Sequence, residues 1–404
     1  MSSSDQNHGD GFRRRNSKIH NPTNSQIPPT YQENRLPCQS LHNSPHLPNV
    51  PMPLHTLHIL TMLRYLRTLY TLAQLPHTLS TKPNHTSTMG SIPITTYGFI
   101  GLGRMGHGMA KNLRQKLPQN YPMIVFDVNK EAVNKFLQEH AGTNVTAASS
   151  PKEIAEVADV ILTSVPQAAH VKAVFLHPET GLLAAAPGER KRLFLELSTI
   201  EVAASTEVAN AVESGGYGEF IDAPCSGGAM GAEKGALSFM VGSPDHLFLR
   251  VLEICKLMGT ESSIFHCGAL GAGLKTKVLN NYLSSLTTLA TAETINIGAR
   301  SGLDIYKLNE VINASSGMSF NTKVNNPVPG LTPKNAASNG YIGGFSLELC
   351  LGVLELGYQE AQAVGARVVL GKQMVDAYRA AAEEPRYQGK DSKIIYKWLQ
   401  GEDA

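Results

Sequence analysis

Lys277 and Asn281 stand four residues apart in GAGLKTKVLNNYL, and on a helix that spacing projects both side chains from one face. The positive end of a helix dipole disfavours an ammonium group, and partial burial acts in the same direction. Lys277, placed early in a helix, is therefore expected to release its proton more readily than a free lysine. An amine of that kind suits general acid–base work. Alone, a K-x-x-x-N pattern describes a solvated lysine beside a core or capping asparagine equally well, so the pair needs company. It comes from Gly101, Leu102, Gly103, Arg104, Met105 and Gly106, which spell GLGRMG. In a strand-to-helix turn the first glycine permits the bend, the second lets a pyrophosphate approach the backbone, and the third lets helix and strand pack closely. The free N–H groups opening the helix then face the phosphate charge.

Asp127 follows 21 residues after Gly106, at the end of the next apolar run. A carboxylate there accepts hydrogen bonds from the hydroxyls of an adenosine ribose and repels a 2′-phosphate, which favours NAD over NADP. Val128 and Asn129 come next, where a phosphate-binding arginine would otherwise be expected. Arg104 lies inside the glycine loop, either as a solvated side chain or as a group that reaches a phosphate.

These residues need a scaffold that brings a glycine loop, an acid and a distant lysine together. Short β-rich runs are read at Ile94–Ile100, Met123–Asp127, Val160–Val165, Leu193–Leu197, Phe220–Ala223, Leu237–Val241 and Ser263–His266. Helical stretches such as Lys130–His140 and Pro244–Met258 separate them. This alternation predicts an α/β fold: an N-terminal Rossmann-type doubly wound sheet over 91–265, helices on both faces. After His266 the strand signals stop, and 266–404 reads as an all-helical domain. A long helix from about Leu274 to Ser301 joins the two, with Val278, Tyr282, Leu286, Leu289 and Ile297 near one side and a stop before Gly302. Asp304 and Asp391 are expected N-caps, Gly365 and Gly401 expected stops.

Residues 1–90 differ in kind, being rich in His, Asn, Pro and Ser, with Asp5, Asp10 and Glu33 the only acids. Such a composition does not offset its ordering entropy. Within it, MLRYLRTLYTLAQLPHTL (Met62–Leu79) is acid-free, carries Arg64 and Arg67, and resembles a mitochondrial presequence. The same stretch also reads as an extension ahead of a start at Met62 or Met89, which leaves a cytoplasmic location open. Lys+Arg 35 against Asp+Glu 33 gives no net field to draw nucleic acid to the folded body. No run of 18 apolar residues offers a membrane span. The five cysteines, Cys38, Cys225, Cys255, Cys267 and Cys350, show neither a CxxC pair nor metal-ligand spacing, so no metal is expected.

From about Tyr97 to beyond Ala361 the chain resembles the 3-hydroxyisobutyrate dehydrogenases and the wider β-hydroxyacid dehydrogenase family. The resemblance is carried by YGFIGLGRMGHGMAKNL, SVPQAAHV, LSTI, DAPCSGGAMGAEKGALSFMVG, GAGLKTKVLNN, SSGMSF, NNPVPG and YIGGF. NNPVPG is closest to the mitochondrial-type enzymes of valine catabolism. A 6-phosphogluconate-type relative would instead have a histidine after the lysine, where Leu279 and Asn280 stand. The resemblance implies oxidation of a primary alcohol at C3 of a short hydroxyacid to a semialdehyde, with NAD as the cofactor. It makes Lys277 the general base and acid, and Asn281 the residue that orients the substrate. By the same resemblance Ser226, Gly227 and Gly228 would hold the substrate carboxylate, a sensible anion nest of backbone N–H groups and one hydroxyl. Val165, Pro166, His170 and Thr199 fall where the family contacts its cofactor. The family's dimers or tetramers make a homo-oligomer the expected assembly.

One departure stands out. Many family members carry a Lys-Asp pair on the helix after the GGF element, and here Gly352 and Val353 occupy those places. Lys275 is no replacement, since two residues from Lys277 it points roughly 200° away. Three readings follow: an active 3-hydroxyisobutyrate dehydrogenase, a reductase of another small semialdehyde, and a NAD-binding paralogue with weak or no turnover. Cys225, where the family often has valine, reads as a small core residue rather than a nucleophile.

Overall fold

A computed structural model describes residues 95–188 and 191–401. The extension expected over 1–90 lies outside the described residues. The first half alternates strand and helix: β1 (Tyr97–Ile100), α1 (Gly106–Lys116), β2 (Met123–Phe126), α2 (Lys130–Glu139), β3 (Val145–Ala147), α3 (Pro151–Val157), β4 (Val160–Thr163) and α4 (Ala168–Leu176). It continues through β5 (Arg192–Glu196), α5 (Val202–Ser214), β6 (Gly218–Asp222), β7 (Cys225–Ser226), α6 (Gly228–Lys234), β8 (Leu237–Gly242), α7 (Asp245–Lys256) and β9 (Gly259–Gly268). Thereafter come α8 (Ala272–Arg300), α9 (Ile305–Asn313), α10 (Phe320–Lys323), α11 (Leu347–Ala363), α12 (Gly371–Glu383) and α13 (Ile395–Gln400).

The strands form one sheet in the order β3-β2-β1-β4-β5-β6-β8-β7, with β9 beside β8. The first six run parallel, and β8 is antiparallel to β6 and β7. The order reverses between β1 and β4, and at such a switch point the carboxyl ends of the strands leave a crevice for a ligand. Helices cover both faces, so β1, β4 and β5 are buried throughout and read as nearly continuous apolar runs. One face packs Phe99, Leu113 and Phe136, the other Ile154, Phe175 and Phe194.

Every expected strand is present with its ends moved by a few residues. β3 and β7 were not expected. β3 is three residues long and largely exposed, and β7 has only two residues, too little for a period to register. Asp304 caps α9 by accepting from the N–H groups of Tyr306 and Lys307. Gly365 and Gly401 take positive φ just past α11 and α13, as expected of stops. Asp391 caps a short 3₁₀ turn, Ser392–Ile394, that leads into α13.

α8 starts at Ala272, two residues before the expected Leu274, and its 29 residues are about 43 Å long. Its buried face runs through Leu274, Val278, Ser285, Ala292 and Ile295. Ile297, expected on that side, is 64% exposed. At 100° per residue it lies about 140° round from Ala292. α11 packs antiparallel along α8: Ser285 meets Cys350, Tyr282 meets Gly357, and Lys275 pairs with Glu360 at 3.2 Å.

Candidate active site

The glycine loop is built as its spacing requires. Gly101 has φ +96°, and a Cβ there would run into the carbonyl of Ser164. A Cβ on Gly106 would strike the carbonyl of Gly101, so helix and strand meet with no room for a side chain. Gly103 has nothing within 4 Å of where a Cβ would stand, which leaves its backbone open to a ligand. Asp127 grips the loop: one oxygen accepts from Leu102 N at 2.6 Å and the other from Asn129 N at 2.7 Å. A cavity of about 420 Å³ opens at this point, lined by Leu102, Gly103, Arg104, Asp127 and, from α1 and α2, His107 and Lys135. A glycine opening, a helix N-terminus and an acid on one cavity wall fit the adenosine end of a dinucleotide.

Arg104 is an exposed loop side chain, as one of the two expectations had it, and it also has a partner in the protein. Its guanidinium donates to the carbonyl of Gly344 in the GGF element, 240 residues on. Met105 packs partly into the core beneath α1 and contributes backbone to the loop. Val165 and Thr199 sit half-buried at adjoining strand ends, and Ser198 Oγ accepts from Val165 N at 2.9 Å, drawing the two loops together. Pro166 is exposed beside them. His170 is exposed on α4, and its ring makes no hydrogen bond with a described residue.

Lys277 is 7% exposed and forms neither a hydrogen bond nor an ion pair among the described residues. Burial holds its ammonium below the ordinary lysine range, and the neighbouring Cys225 acts weakly against this. Of the two causes expected from the sequence, burial is the one that acts. Lys277 is the sixth residue of α8, beyond the first turn where a helix dipole acts, so desolvation and not the dipole lowers its proton affinity. Burial pushes the Cys225 thiol up to about 11, in keeping with a core residue rather than a nucleophile. Cys225 begins β7, and Ser226, Gly227 and Gly228 follow it directly, so the amine and the SGG segment are neighbours. Gly227 and Gly228 have φ +134° and +64°. Asn281 is half-buried one turn beyond Lys277.

Several positioning residues escaped the sequence reading. Asn112 of α1, 6% exposed, donates to the carbonyls of Gly108 and Ala232 at 2.9 and 2.8 Å, and Lys111 pairs with Glu233. Together they fasten α6, and with it the SGG segment, to the helix that opens the cofactor loop. Asp222 and Glu196 end two buried strands. Burial raises their carboxyls to about 6 and about 7. The available signal was an acid closing each strand after apolar residues, although Arg192 opens β5 and Glu219 lies within β6. Asp391, fully buried, accepts from Phe345 N at 2.8 Å and pairs with Lys393 at 3.1 Å, which fixes the GGF loop that Arg104 reaches. Gly352 is exposed, with open space where a side chain would stand, and Val353 is buried. Lys275 is engaged by Glu360, in line with the expectation that it does not replace the missing cation. Among the described residues no group of three or more His, Cys, Asp or Glu is placed to hold a metal ion. No helix among them is long and apolar enough to cross a membrane.

Residues 96–268 match the NAD binding domain of 6-phosphogluconate dehydrogenase, and 271–399 match the profile described as NAD-binding of NADP-dependent 3-hydroxyisobutyrate dehydrogenase. The mitochondrial 3-hydroxyisobutyrate dehydrogenase of Mus musculus is 37% identical over 309 residues, covering 76% of this chain and 88% of that protein. The 3-hydroxyisobutyrate dehydrogenase of Pseudomonas aeruginosa is 37% identical over 311 residues, 77% of this chain and 100% of its own length. Among solved structures, Mycobacterium tuberculosis 3-hydroxyisobutyrate dehydrogenase with L-serine superposes with a TM-score of 0.67 at 32% identity, over 76% of this chain and 100% of that one. A dinucleotide crevice, a buried amine beside an SGG turn, and relatives that align over nearly their whole length agree: the chain belongs to the 3-hydroxyisobutyrate dehydrogenase family, NAD-binding oxidoreductases of the 3-hydroxyacid class.

Proposed function

We propose that the protein oxidises 3-hydroxyisobutyrate, or a short 3-hydroxyacid close to it, to the semialdehyde with NAD, in the manner of valine catabolism. The observation that carries the reading is the buried amine of Lys277, without a hydrogen bond or ion pair among the described residues, beside the SGG segment. The cofactor, when bound, supplies the hydride acceptor. Lys277 takes the hydroxyl proton as the C3–H bond breaks, and returns it in the reverse direction. Its lowered proton affinity leaves more of the neutral base at a given pH than a solvated lysine would offer. Asn281 orients the alcohol, and the N–H groups of Gly227 and Gly228 with the Ser226 hydroxyl hold the carboxylate. Leu102 to Met105 cradle the pyrophosphate, Val165, Pro166, His170 and Thr199 border the nicotinamide half, and Asp127 favours NAD over its 2′-phosphorylated form. The L-serine in the mycobacterial structure is itself a short acid with a primary alcohol at C3, which supports the substrate class.

NADH formation from a panel of 3-hydroxyacids, with Lys277→Ala as control, tests this. Turnover by the wild type alone supports it, and equal rates in both proteins would remove the mechanism. Reduction of other small semialdehydes is separated by comparing kcat/KM across the two substrate sets. The open space at Gly352 favours one further reading, a NAD-binding paralogue of weak turnover, for which calorimetry would show NADH binding without catalysis.

We place the protein in mitochondria, as a homo-oligomer. The mouse relative is named as mitochondrial, whereas the Pseudomonas relative is bacterial, so import of a reporter fused to residues 1–90 decides between mitochondrial and cytoplasmic location. Leu279 and Leu283 on α8, and Phe320 and Val324 at α10, are more than half exposed, an apolar surface suited to a second copy.

A further inference from the structure

Thr163, Glu196, Asp222 and Gly242 lie side by side in the register of β4, β5, β6 and β8, one row across the carboxyl end of the sheet. Thr163, Glu196 and Asp222 have no exposed surface. Two carboxyl groups buried in adjacent strands are costly unless their oxygens are used.

Asp222 serves the helical side. One oxygen accepts from Gly271 N at 2.7 Å and the other from Leu274 N at 2.8 Å, which satisfies N–H groups at the start of α8 one turn before Lys277. The approach is close enough that a Cβ on Gly242 would run into the Asp222 carboxylate, and one on Gly273 into the carbonyl of Met240. The sheet and the first turn of α8 are therefore held in one arrangement.

Glu196 serves the other side. One oxygen accepts from Ser198 N at 3.0 Å and from Thr163 Oγ1 at 3.3 Å, while the other has no partner among the described residues, in keeping with a carboxyl whose charged form burial disfavours. Ser198 Oγ in turn accepts from Val165 N at 2.9 Å, so the loops after β4 and β5 are tied to the same row.

We propose that Glu196 and Asp222 are paired positioning residues: Asp222 sets the height of the Lys277 amine above the sheet, and Glu196 sets the loops that receive the nicotinamide half of the cofactor. This rests on the functional reading above. Through a rigid sheet the two settings are linked, so the separation between the amine and the cofactor loops is fixed before anything binds.

The isosteric variants Asp222→Asn and Glu196→Gln test it, with thermal melts to confirm that both fold. Asp222→Asn replaces one acceptor by an NH₂ facing an N–H. It is expected to lower kcat by at least about tenfold while leaving the KM for NAD within about twofold. Hydrogen exchange at the Gly271 and Leu274 amides is expected to speed up in the cofactor-free protein. Glu196→Gln is expected to weaken NAD binding several-fold by calorimetry, with a smaller effect on kcat. Wild-type exchange and kcat in Asp222→Asn would overturn the proposal. So would parallel loss of kcat and NAD affinity in both variants, in proportion to the fraction folded. Exchange and calorimetry decide the matter even if the wild type turns over no 3-hydroxyacid, an outcome that would remove the functional reading alone.

Discussion

Lys277 carries the account at the scale of single residues. Its amine is buried with no counter-charge among the described residues, so the neutral form is populated below the pH range of a solvated lysine. For oxidation, kcat/KM is expected to rise with pH along the deprotonation of this amine, with the midpoint below the ordinary lysine value of 10.5. Lys277→Ala is expected to lower kcat by about 10²- to 10⁴-fold and abolish that rise, while NADH binding measured by calorimetry survives. An unchanged pH profile in Lys277→Ala would assign the ionisation elsewhere. Gly352 permits a complementary gain. Open space surrounds it, so Gly352→Lys is expected to fold with an unaltered melting temperature and to raise kcat/KM for an anionic substrate, read against a neutral analogue. The lysine, the glycine loop, Asp127 and the SGG turn were all legible in the sequence because each belongs to a short local pattern. The destination of Arg104 was not, since its acceptor, Gly344, lies 240 residues away and is a backbone carbonyl that no residue type announces.

Among the elements, β5, β6 and α8 do most to set the geometry. Buried strands in a parallel sheet are expected to be apolar, and Glu196 breaks that rule at the end of β5. Burial raises its carboxyl from 4.5 to about 7, so its contribution to stability is complete below about pH 4.5 and is lost as the pH rises through about 7. Removing the charge relieves that loss. The melting temperature of Glu196→Gln relative to wild type is therefore expected to climb between pH 5 and pH 8, as checked by calorimetric scans at several pH values; a constant difference would show that Glu196 does not titrate in that range. Strand and helix existence was readable from apolar runs and turn residues, whereas β3 and β7 are too short to carry a period. The misplacement of Ile297 has a simple cause. Apolar residues on a long helix do not all face one way, and Ser285, Thr288 and Thr291 take buried positions that a hydrophobic pattern assigns to others.

For the whole molecule, the doubly wound sheet supplies a crevice at its switch point, and the helical half brings α8 and the GGF loop to it. Exposed Leu279, Leu283, Phe320 and Val324 lead to the expectation of a stable homo-oligomer, visible by light scattering, and Leu283→Glu is expected to shift it toward smaller species. A monomer at all concentrations would contradict this. Fold class and half-to-half organisation followed from the alternation of strands and helices. Assembly did not, because exposed apolar faces such as that of Leu279 and Leu283 carry the same residue types as a core. The most direct measurement of the central claim is a crystal structure of the protein with NAD and 3-hydroxyisobutyrate together. Lys277 Nζ is expected within about 3.2 Å of the substrate's C3 hydroxyl, with the carboxylate on the N–H groups of Gly227 and Gly228. A substrate bound with its hydroxyl turned away from Lys277, or an amine facing solvent across the crevice, would contradict it.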